Sequence, residues 1–225
     1  MNYEYCMKHK CKSCKKKCGE KMIPKIIHYV WVGGKEKSIA VVNCINSWKK
    51  FCPDYEIKEW NESNFDINLY RYCKEAYEQK KWAFVSDVIR LYALYTEGGI
   101  YLDTDVELFK NLDVLLNNPA FTGFENIGYP VTAVMGAEKG SSIIKEMLDY
   151  YNDRDFIWEG FGNTITNTMI MSDILEKIGI DRNKNELQRT KDITIYPKDT
   201  FCPNWWENGI PDESYARHLM LGSWG

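Results

Sequence analysis

The sequence predicts an α/β domain with a single mixed sheet flanked by helices, and three observations support this fold class. Stretches rich in β-branched and aromatic residues alternate with stretches whose apolar residues have helical spacing. The chain has 225 residues, of which 44% are hydrophobic, and this is enough for one large core. It contains no internal repeat and no linker. We therefore expect one domain over residues 22–225, preceded by a distinct tail at residues 1–21.

The first elements have clear boundary signals. The segment KIIHYVWV at residues 25–32 has the composition of a strand and ends at Gly33-Gly34. A helix follows from Ser38, a candidate N-cap, to Phe51, before Pro53. The same patterns predict a strand at 55–60, helical structure over most of 62–79, a helix at 81–97, strands at 100–102, 120–125 and 131–137, helices at 142–151 and 167–178, and strands at 193–197 and 215–219.

The predicted helix at residues 81–97 contains an unusual polar group. Within Trp82–Tyr95 only Ser86, Asp87 and Arg90 are not apolar, which predicts a buried helix. Asp87 and Arg90 are three residues apart and share one face. Because buried charges need partners, this pair forms an internal ion pair or lines a cavity in which it meets a ligand.

The segment EGGIYLDTDVELF at residues 97–109 ends a short buried strand with two carboxylates. Gly98 and Gly99 permit a tight return from the helix into this strand. Because side chains alternate along a strand, Asp103 and Asp105 are predicted to point to the same face. Open α/β sheets bind ligands at the carboxyl ends of their strands. Two carboxylates in that position suit a hard cation that also takes phosphate oxygens.

The chain contains its own control for this motif. Asp153 and Asp155 form a second Asp-x-Asp sequence, but they follow a polar helix end and no strand. We interpret them as solvated surface residues. The structural context, and not the spacing, therefore distinguishes the two copies.

Composition and charge limit the partners and the cellular location that the sequence predicts. The formal net charge is −3, so no global basic field indicates a nucleic acid partner. The most apolar window is too short and too charged to span a bilayer. The N-terminus has no apolar leader, which predicts a cytoplasmic chain with reduced cysteines. On this basis the scattered cysteines are packing residues, namely Cys44, Cys52, Cys73 and Cys202.

Residues 1–21 differ in composition from the rest of the chain. Seven lysines surround four cysteines, Cys6, Cys11, Cys14 and Cys18. Four thiolates can close a zinc or iron–sulfur site, although zinc modules usually separate their cysteine pairs by a longer segment. The alternative is a solvated basic tail that contacts an anionic acceptor or the inner face of a membrane.

Four segments of the chain resemble a known enzyme family: KIIHYVWVGG, NESNF, WAFVSDVIRLYALYTEGGIYLDTDVE and HLMLGSW. They are similar to glycosyltransferases of family 32, which carry a sugar-binding Asp-x-Asp region, and more distantly to clostridial glucosylating toxins. The resemblance implies a GT-A-type fold and retaining transfer from a nucleotide diphosphate sugar. It implies Mn²⁺ or Mg²⁺, a uridine diphosphate sugar or guanosine diphosphate mannose as donor, and a glycan or lipid-linked acceptor, as in capsular polysaccharide synthesis.

The resemblance also implies roles for individual residues around the donor. Trp31 would stack on the nucleotide base, for which a flat indole is suited, and Asn64 would bond near the nucleoside. Asp87 and Arg90 would hold the hydroxyls of the donor sugar, with Arg90 near the diphosphate. Tyr101 would line the donor pocket.

The metal and the diphosphate would lie between the acidic motif and the C-terminus. Asp103 would meet ribose, sugar and metal-bound water, and Asp105 would ligate the metal more directly. His218, Ser223 and Trp224 would close over the diphosphate. An imidazole suits Mn²⁺, so His218 would be a further metal ligand.

Three other functions fit parts of the sequence. In a haloacid-dehalogenase-like phosphohydrolase Asp103 would be the nucleophile, but that fold needs a downstream acidic pair, and the chain offers Asp149 and Asp153 on a helix. A toxin-like enzyme would glycosylate a protein. A carbohydrate-binding or metal-knot adaptor would not need the intact Asp87, Arg90 and acidic motif.

Overall fold

The computed structural model describes residues 22–126, 128–160 and 164–222. Its strands are β1 (Ile26–Val30), β2 (Glu56–Trp60), β3 (Gly99–Leu102), β4 (Val106–Leu108), β5 (Ala120–Asn126), β6 (Tyr129–Pro130), β7 (Val134–Ala137), β8 (Gln188–Arg189), β9 (Thr194–Tyr196) and β10 (Ala216–His218). Its helices are α1 (Ile39–Phe51), α2 (Arg71–Glu78), α3 (Trp82–Glu97), α4 (Ser142–Asp149), α5 (Asn167–Lys177), α6 (Lys198–Phe201) and α7 (Trp205–Asn208), with 3₁₀ turns at Ile67–Leu69 and Asp113–Leu115. The predicted tail at residues 1–21 lies outside the described residues, so its boundary stays a prediction.

The large sheet is mixed, as the sequence predicts. Its strand order is β2-β1-β3-β7-β5-β9-β8, with β6 paired to β5. Strands β1, β2 and β3 run parallel, and β7 is antiparallel to both β3 and β5. Strand β5 therefore runs in the direction of β3, and β9 is parallel to β5. The carboxyl ends of β1, β2, β3, β5 and β9 meet at one edge of the sheet, where open α/β sheets bind ligands.

Helices cover both faces of this sheet. Ile100 and Leu102 of β3 belong to a core shared with α1, whereas Tyr101 between them belongs to the core formed with α2, α3, α4 and α5. The four scattered cysteines are buried and unpaired, in agreement with a packing role: Cys44, Cys52, Cys73 and Cys202. Within the described part of the chain, none of the helices combines the length and the apolar character that crossing a membrane requires.

A two-stranded sheet supplements the single predicted sheet. Strands β4 and β10 pair antiparallel, with His218 opposite Val106. Trp48 of α1 supports this pair, because its Nε1 donates to the Val106 carbonyl at 2.8 Å. The pairing places His218 beside the segment that follows β3.

Local hydrogen bonds explain where the predicted elements differ from the observed ones. The region 62–79 was expected to be mostly helical, and this is confirmed by the 3₁₀ turn Ile67–Leu69 and the α-helix Arg71–Glu78, but the first residues of the region are not helical. In that loop Asn64 accepts from the Asn61 N–H and Asn61 accepts from the Ser63 N–H, whereas Asp66 caps the 3₁₀ turn by accepting from the Asn68 N–H. Such side-chain bonds compete with helical ones. The predicted N-cap at Ser38 is confirmed, since its side chain accepts from Val41.

A buried histidine explains the glycine that starts β3. Nε2 of His28 lies 2.7 Å from the Gly98 carbonyl, and the Trp60 indole donates to Nδ1 at 3.0 Å. An indole can only donate, so Nε2 carries the proton. Burial lowers the pKa of His28 and keeps it neutral. Gly99 has a φ of +114°, and a Cβ there would lie 2.8 Å from the Ile26 carbonyl and 2.9 Å from His28 Nε2.

We predict that Gly99→Ala lowers the free energy of unfolding by at least about 2 kcal/mol, because it adds a backbone clash to a strained φ. Urea denaturation of the purified protein measures this. Gly34→Ala is the matched control, since Gly34 also has a positive φ but has no atom within 4 Å of the added Cβ. It should cost about 1 kcal/mol. Equal losses in the two variants would contradict the clash with His28.

Candidate active site

Arg90 lies between two carboxylates beneath the carboxyl edge of the sheet. Its Nη2 is 3.2 Å from Oδ1 of Asp87 and 3.3 Å from Oδ1 of Asp103. Its Nη1 donates to the Thr132 carbonyl at 2.8 Å, and its Nη2 donates to the Ser86 hydroxyl at 2.9 Å. Arg90 is only 4% exposed. The sequence left two interpretations open, and the structure shows an internal ion pair that extends to Asp103.

Asp87 is held from a second side by Asn167, the first residue of α5. The Asn167 N–H donates to Oδ2 of Asp87 at 3.3 Å, and its side-chain amide donates to the Asp87 carbonyl at 2.9 Å. The Tyr151 hydroxyl in turn donates to the Asn167 side chain at 2.8 Å. Burial raises the pKa of Asp87 to about 6, although the charge of Arg90 opposes this shift. The ionised carboxylate is thus positioned at a cost in stability.

The acidic motif lies in a turn, so the alternation of a strand does not set the directions of the two carboxylates as predicted, although their oxygens do lie within 4.8 Å of each other. Strand β3 ends at Leu102. The Val106 N–H then donates to the Asp103 carbonyl at 3.0 Å, so the chain turns between β3 and β4. The alternation of side chains along a strand does not continue through this turn. Asp103 consequently faces Arg90, whereas Asp105 faces His218.

His218 and Asp105 form a buried pair at the end of the motif. Nε2 of His218 lies 3.3 Å from Oδ1 of Asp105. Burial by itself would lower the pKa of His218, but contacts with the Asp105 carboxylate and the Cys202 thiol raise it to about 10. Burial likewise opposes ionisation of Asp105, and the contact with His218 still lowers the pKa of Asp105. Without a metal the pair is therefore an imidazolium and a carboxylate at neutral pH.

Asp103, Asp105 and His218 together fit a divalent metal. Their ligand atoms lie within 4.8 Å of one another. Carboxylate oxygens suit Mg²⁺, and carboxylates with an imidazole suit Mn²⁺. Coordination through Nε2 would release its proton, because a ligating imidazole is neutral. The residues present thus fit the metal that the resemblance implies, and its identity stays a prediction.

Asp105 also fixes the chain that follows β10. The Leu219 N–H donates to the Asp105 carbonyl at 2.9 Å, and the Leu221 N–H donates to Oδ2 of Asp105 at 2.9 Å. Ser223 and Trp224, which were expected to close over the diphosphate, lie outside the described residues. The segment that precedes them is attached directly to the acidic motif.

Two residues expected near the nucleotide lie at the ends of β1 and β2. Trp31 follows β1, and its Nε1 donates to the Lys35 carbonyl at 2.7 Å. Asn64 donates to the Glu59 carbonyl at 2.8 Å and accepts from the Asn61 N–H at 2.9 Å. The amide of Asn64 is therefore used within its own loop. Contacts of Trp31 and Asn64 with a nucleotide stay predictions.

Tyr101 does not line an open pocket, contrary to expectation. It is fully buried, and its hydroxyl donates to Oδ1 of Asp103 at 2.7 Å. The Arg90 guanidinium lies 4.6 Å from the centre of its ring. The reason is the alternation in β3, which points Tyr101 into the core beneath the site. Tyr101 therefore positions Asp103.

Sequence reasoning missed the polar residues that complete this buried group, namely Ser86, Thr132, Asn167 and Tyr151. Ser86 had a signal, because it is a polar residue in an apolar helix. Thr132 acts through its carbonyl, which any residue type provides. Asn167 and Tyr151 are far from the motif along the chain, and no local pattern marks them.

The other acidic candidates lie on the surface. Asp153 and Asp155 are exposed, and Asp155 pairs with Arg71 at 2.7 Å. This is the solvated surface that the sequence suggested for the second Asp-x-Asp. Asp149, which a phosphohydrolase would need for its metal, is exposed and pairs with Lys145 at 2.6 Å. The geometry thus gives the phosphohydrolase alternative no support.

Comparison with known proteins agrees with this geometry. Residues 38–122 match the family described as a glycosyltransferase sugar-binding region containing a DXD motif. This match covers 85 of the 225 residues. The matched part includes Asp87, Arg90, Asp103 and Asp105. The resemblance that the sequence suggested is therefore confirmed.

The proteins that are similar to this chain align with different shares of it. The inositol phosphoceramide mannosyltransferase 3 of Schizosaccharomyces pombe is 33% identical over 133 residues, which are 56% of this chain and 36% of that protein. The uncharacterized glycosyltransferase L373 of Acanthamoeba polyphaga mimivirus is 24% identical over 219 residues, 90% of this chain and 84% of that protein. The solved PaToxG glycosyltransferase has a TM-score of 0.49 at 19% identity, covering 70% of this chain and 69% of its own. The chain thus spans about a third of the yeast enzyme's length.

We predict that Asp105→Ala weakens Mn²⁺ binding by at least about tenfold, because it removes a ligand and the partner that orients His218. Electron paramagnetic resonance of free Mn²⁺ in a titration measures the affinity. Asp155→Ala is the matched control, since it removes an exposed carboxylate of the second Asp-x-Asp. Equal affinities in the two variants would contradict the assignment.

We predict that Asp87→Asn does not lower the apo melting temperature at about pH 8. The folded pKa of Asp87 is raised from 3.8 to about 6, so its stabilising contribution is full below the unfolded value and is lost as the pH rises through 6. An amide avoids this loss and still accepts from Asn167.

The melting temperature of Asp87→Asn should therefore rise relative to that of the unmodified protein as the pH rises from about 4 to about 8. Scanning calorimetry in matched buffers measures it. Asp149→Asn, which changes an exposed carboxylate, is the control. A constant difference across this range would show that Asp87 is not destabilised by burial.

Proposed function

We propose that the protein is a metal-dependent glycosyltransferase. It transfers a sugar from a nucleotide diphosphate sugar to a glycan or lipid-linked acceptor with retention of anomeric configuration, in the synthesis of a cell-surface polysaccharide. A uridine diphosphate sugar is the first candidate donor, and guanosine diphosphate mannose is the second. The observation that carries the proposal is the convergence of Asp103, Asp105 and His218 at the carboxyl edge of the sheet, within 4.8 Å of one another.

The chemistry of this cluster favours a diphosphate as the ligand. A divalent metal held there would supply charge stabilisation to the departing diphosphate. Asp105 and His218 would hold it from one side, and Asp103 from the other. Because these side chains are largely buried, the electrostatic interaction acts in a medium of low dielectric.

Arg90 and Tyr101 fix the position of the Asp103 carboxylate. Both bond to Oδ1 of Asp103, at 3.3 and 2.7 Å, so this oxygen is fixed before a donor binds. Fixed dipoles and charges stabilise a transition state without reorganisation. Asp87 would bind donor hydroxyls through its carboxylate, which Arg90 and Asn167 hold in place.

The proposed acceptor is a glycan or lipid-linked sugar, and the proposed location is the inner face of a membrane. The name of the yeast relative supports a lipid-linked acceptor, inositol phosphoceramide in its own case. A protein acceptor, as in the glucosylating toxins, is the alternative. The lysines of residues 1–21 support contact with an anionic membrane surface. A cytoplasmic location stays a prediction.

We predict that one donor class raises the melting temperature in the presence of Mn²⁺. A ligand at 100 times its dissociation constant adds about 2.7 kcal/mol to the free energy of unfolding. A thermal-shift panel of uridine and guanosine diphosphate sugars with Mn²⁺ measures this, and Asp105→Ala should lose the shift. A panel without any shift, together with full sugar release in excess chelator, would contradict the proposal.

The same donor then tests the finer parts of the function. The protein should release sugar from this donor faster than it releases phosphate from a phosphomonoester. A phosphohydrolase would show the opposite preference. Nuclear magnetic resonance of the first transfer product should show the anomeric configuration of the donor. An inverted anomer would contradict retention and leave the transferase assignment unchanged.

A further inference from the structure

Glu125, Cys202 and His218 form a second group of ligands beside the acidic motif. Glu125 lies in β5, and Cys202 directly follows α6, the helix after β9. Because β5 and β9 are parallel, both side chains reach the same edge of the sheet as His218. Their carboxylate, thiol and imidazole atoms lie within 4.8 Å of one another. A carboxylate, a thiol and an imidazole thus meet beside the acidic motif.

The two ring nitrogens of His218 face different partners. Nε2 is 3.3 Å from Oδ1 of Asp105, whereas Nδ1 is 4.0 Å from Oε1 of Glu125. Nδ1 is buried and has no partner at full hydrogen-bond geometry among the described residues, although the Cys202 thiol lies close enough to the ring to raise its pKa. A buried polar atom without such a bond is uncommon and costs free energy, so it points to a further ligand. Nδ1 is the ring nitrogen paired with Glu125, and it is therefore the one that we assign to a metal shared with the thiol and the carboxylate.

We propose that Cys202, Glu125 and Nδ1 of His218 form a second metal site, selective for a thiophilic divalent cation such as Zn²⁺. Sulfur, nitrogen and oxygen ligands from three residues leave a fourth tetrahedral position for water, as in many zinc sites. Mn²⁺ and Mg²⁺ prefer oxygen ligands, so the thiolate distinguishes this site from the acidic motif.

The surroundings supply the orientation that such a site needs. A ligating histidine usually donates its other N–H to a carboxylate, and Nε2 has that relation to Asp105. Glu125 is 28% exposed at its side chain, which provides a path for the cation, whereas Cys202 is 3% exposed. When the cation binds, the thiol proton of Cys202 and any proton on Nδ1 pass to solvent.

The shared imidazole makes the two sites antagonistic. The two ligand groups share one imidazole ring, so the two divalent cations would lie close together and repel each other. Zn²⁺ therefore weakens Mn²⁺ binding, and Mn²⁺ weakens Zn²⁺ binding by the same factor. This consequence depends on the proposed function, whereas the second site does not.

Cadmium absorbance tests the second site without reference to activity. Cd²⁺ is added to the full chain, in which Cys6, Cys11, Cys14 and Cys18 are replaced by Ser, and the ultraviolet absorbance of the thiolate–cadmium bond is recorded. Cys202→Ala should weaken the tightest binding by at least about tenfold. Cys73→Ala is the matched control, because it removes another buried thiol. Identical titrations for these two variants would overturn the site.

A second variant tests the site in case Cys202→Ala fails to fold. Glu125→Gln keeps the size of a partly exposed side chain and should also weaken Cd²⁺ binding. If it binds Cd²⁺ as tightly as the parent chain, the three-ligand site is wrong.

Competition separates this proposal from the proposed function. Zn²⁺ should release bound Mn²⁺ from the parent chain, as seen by electron paramagnetic resonance, and should release much less from Cys202→Ala. Equal release from both would overturn the antagonism. A chain that binds Cd²⁺ through Cys202 but never binds Mn²⁺ would contradict the proposed function and support the second site.

Discussion

The ion pairs of Arg90 with Asp87 and Asp103 are the interactions on which the candidate site depends. An arginine that is 4% exposed cannot remain in a hydrophobic core without acceptors on several sides. The acceptors come from α3 itself, from the end of β3 and from the loop before β7. One buried cation therefore joins a helix to two strands, at the sheet edge where a donor would bind.

The need of Arg90 for acceptors explains why Asp103 is held against the core. Asp105 instead contacts the segment that follows β10. Asp103 is held from below by Arg90 and Tyr101, which belong to the core. Asp105 accepts bonds from the backbone of residues 219 and 221 and pairs with His218, so it holds the end of the described chain. The two carboxylates thus connect the interior of the domain with the segment that follows β10.

His218 lies between two groups of metal ligands, and the two groups suit different classes of cation. Its Nε2 pairs with the Asp105 carboxylate, its Nδ1 pairs with the Glu125 carboxylate, and the Cys202 thiol belongs to the same ligand group as Glu125. Hard and thiophilic cations prefer these different sets. Because one ring carries both nitrogens, the preference of each side depends on the occupancy of the other.

The sequence by itself determined the fold class, the buried helix with Asp87 and Arg90, and the acidic motif at the end of β3. These features are encoded by local periodicity and composition, which short-range sterics and burial translate directly into elements. The resemblance to the DXD glycosyltransferases then depended on contiguous segments, and it too could be found from the sequence.

Only the tertiary structure decided that the motif is a turn, that Tyr101 is buried, and that Asn167, Glu125 and Cys202 belong near the site. A turn is set by one backbone hydrogen bond, from Val106 to Asp103, which no side-chain pattern reports. Asn167 and Cys202 come from segments distant along the chain, brought together by strand order and helix packing. Such contacts depend on where parallel strands end in space, and local sequence carries no record of that.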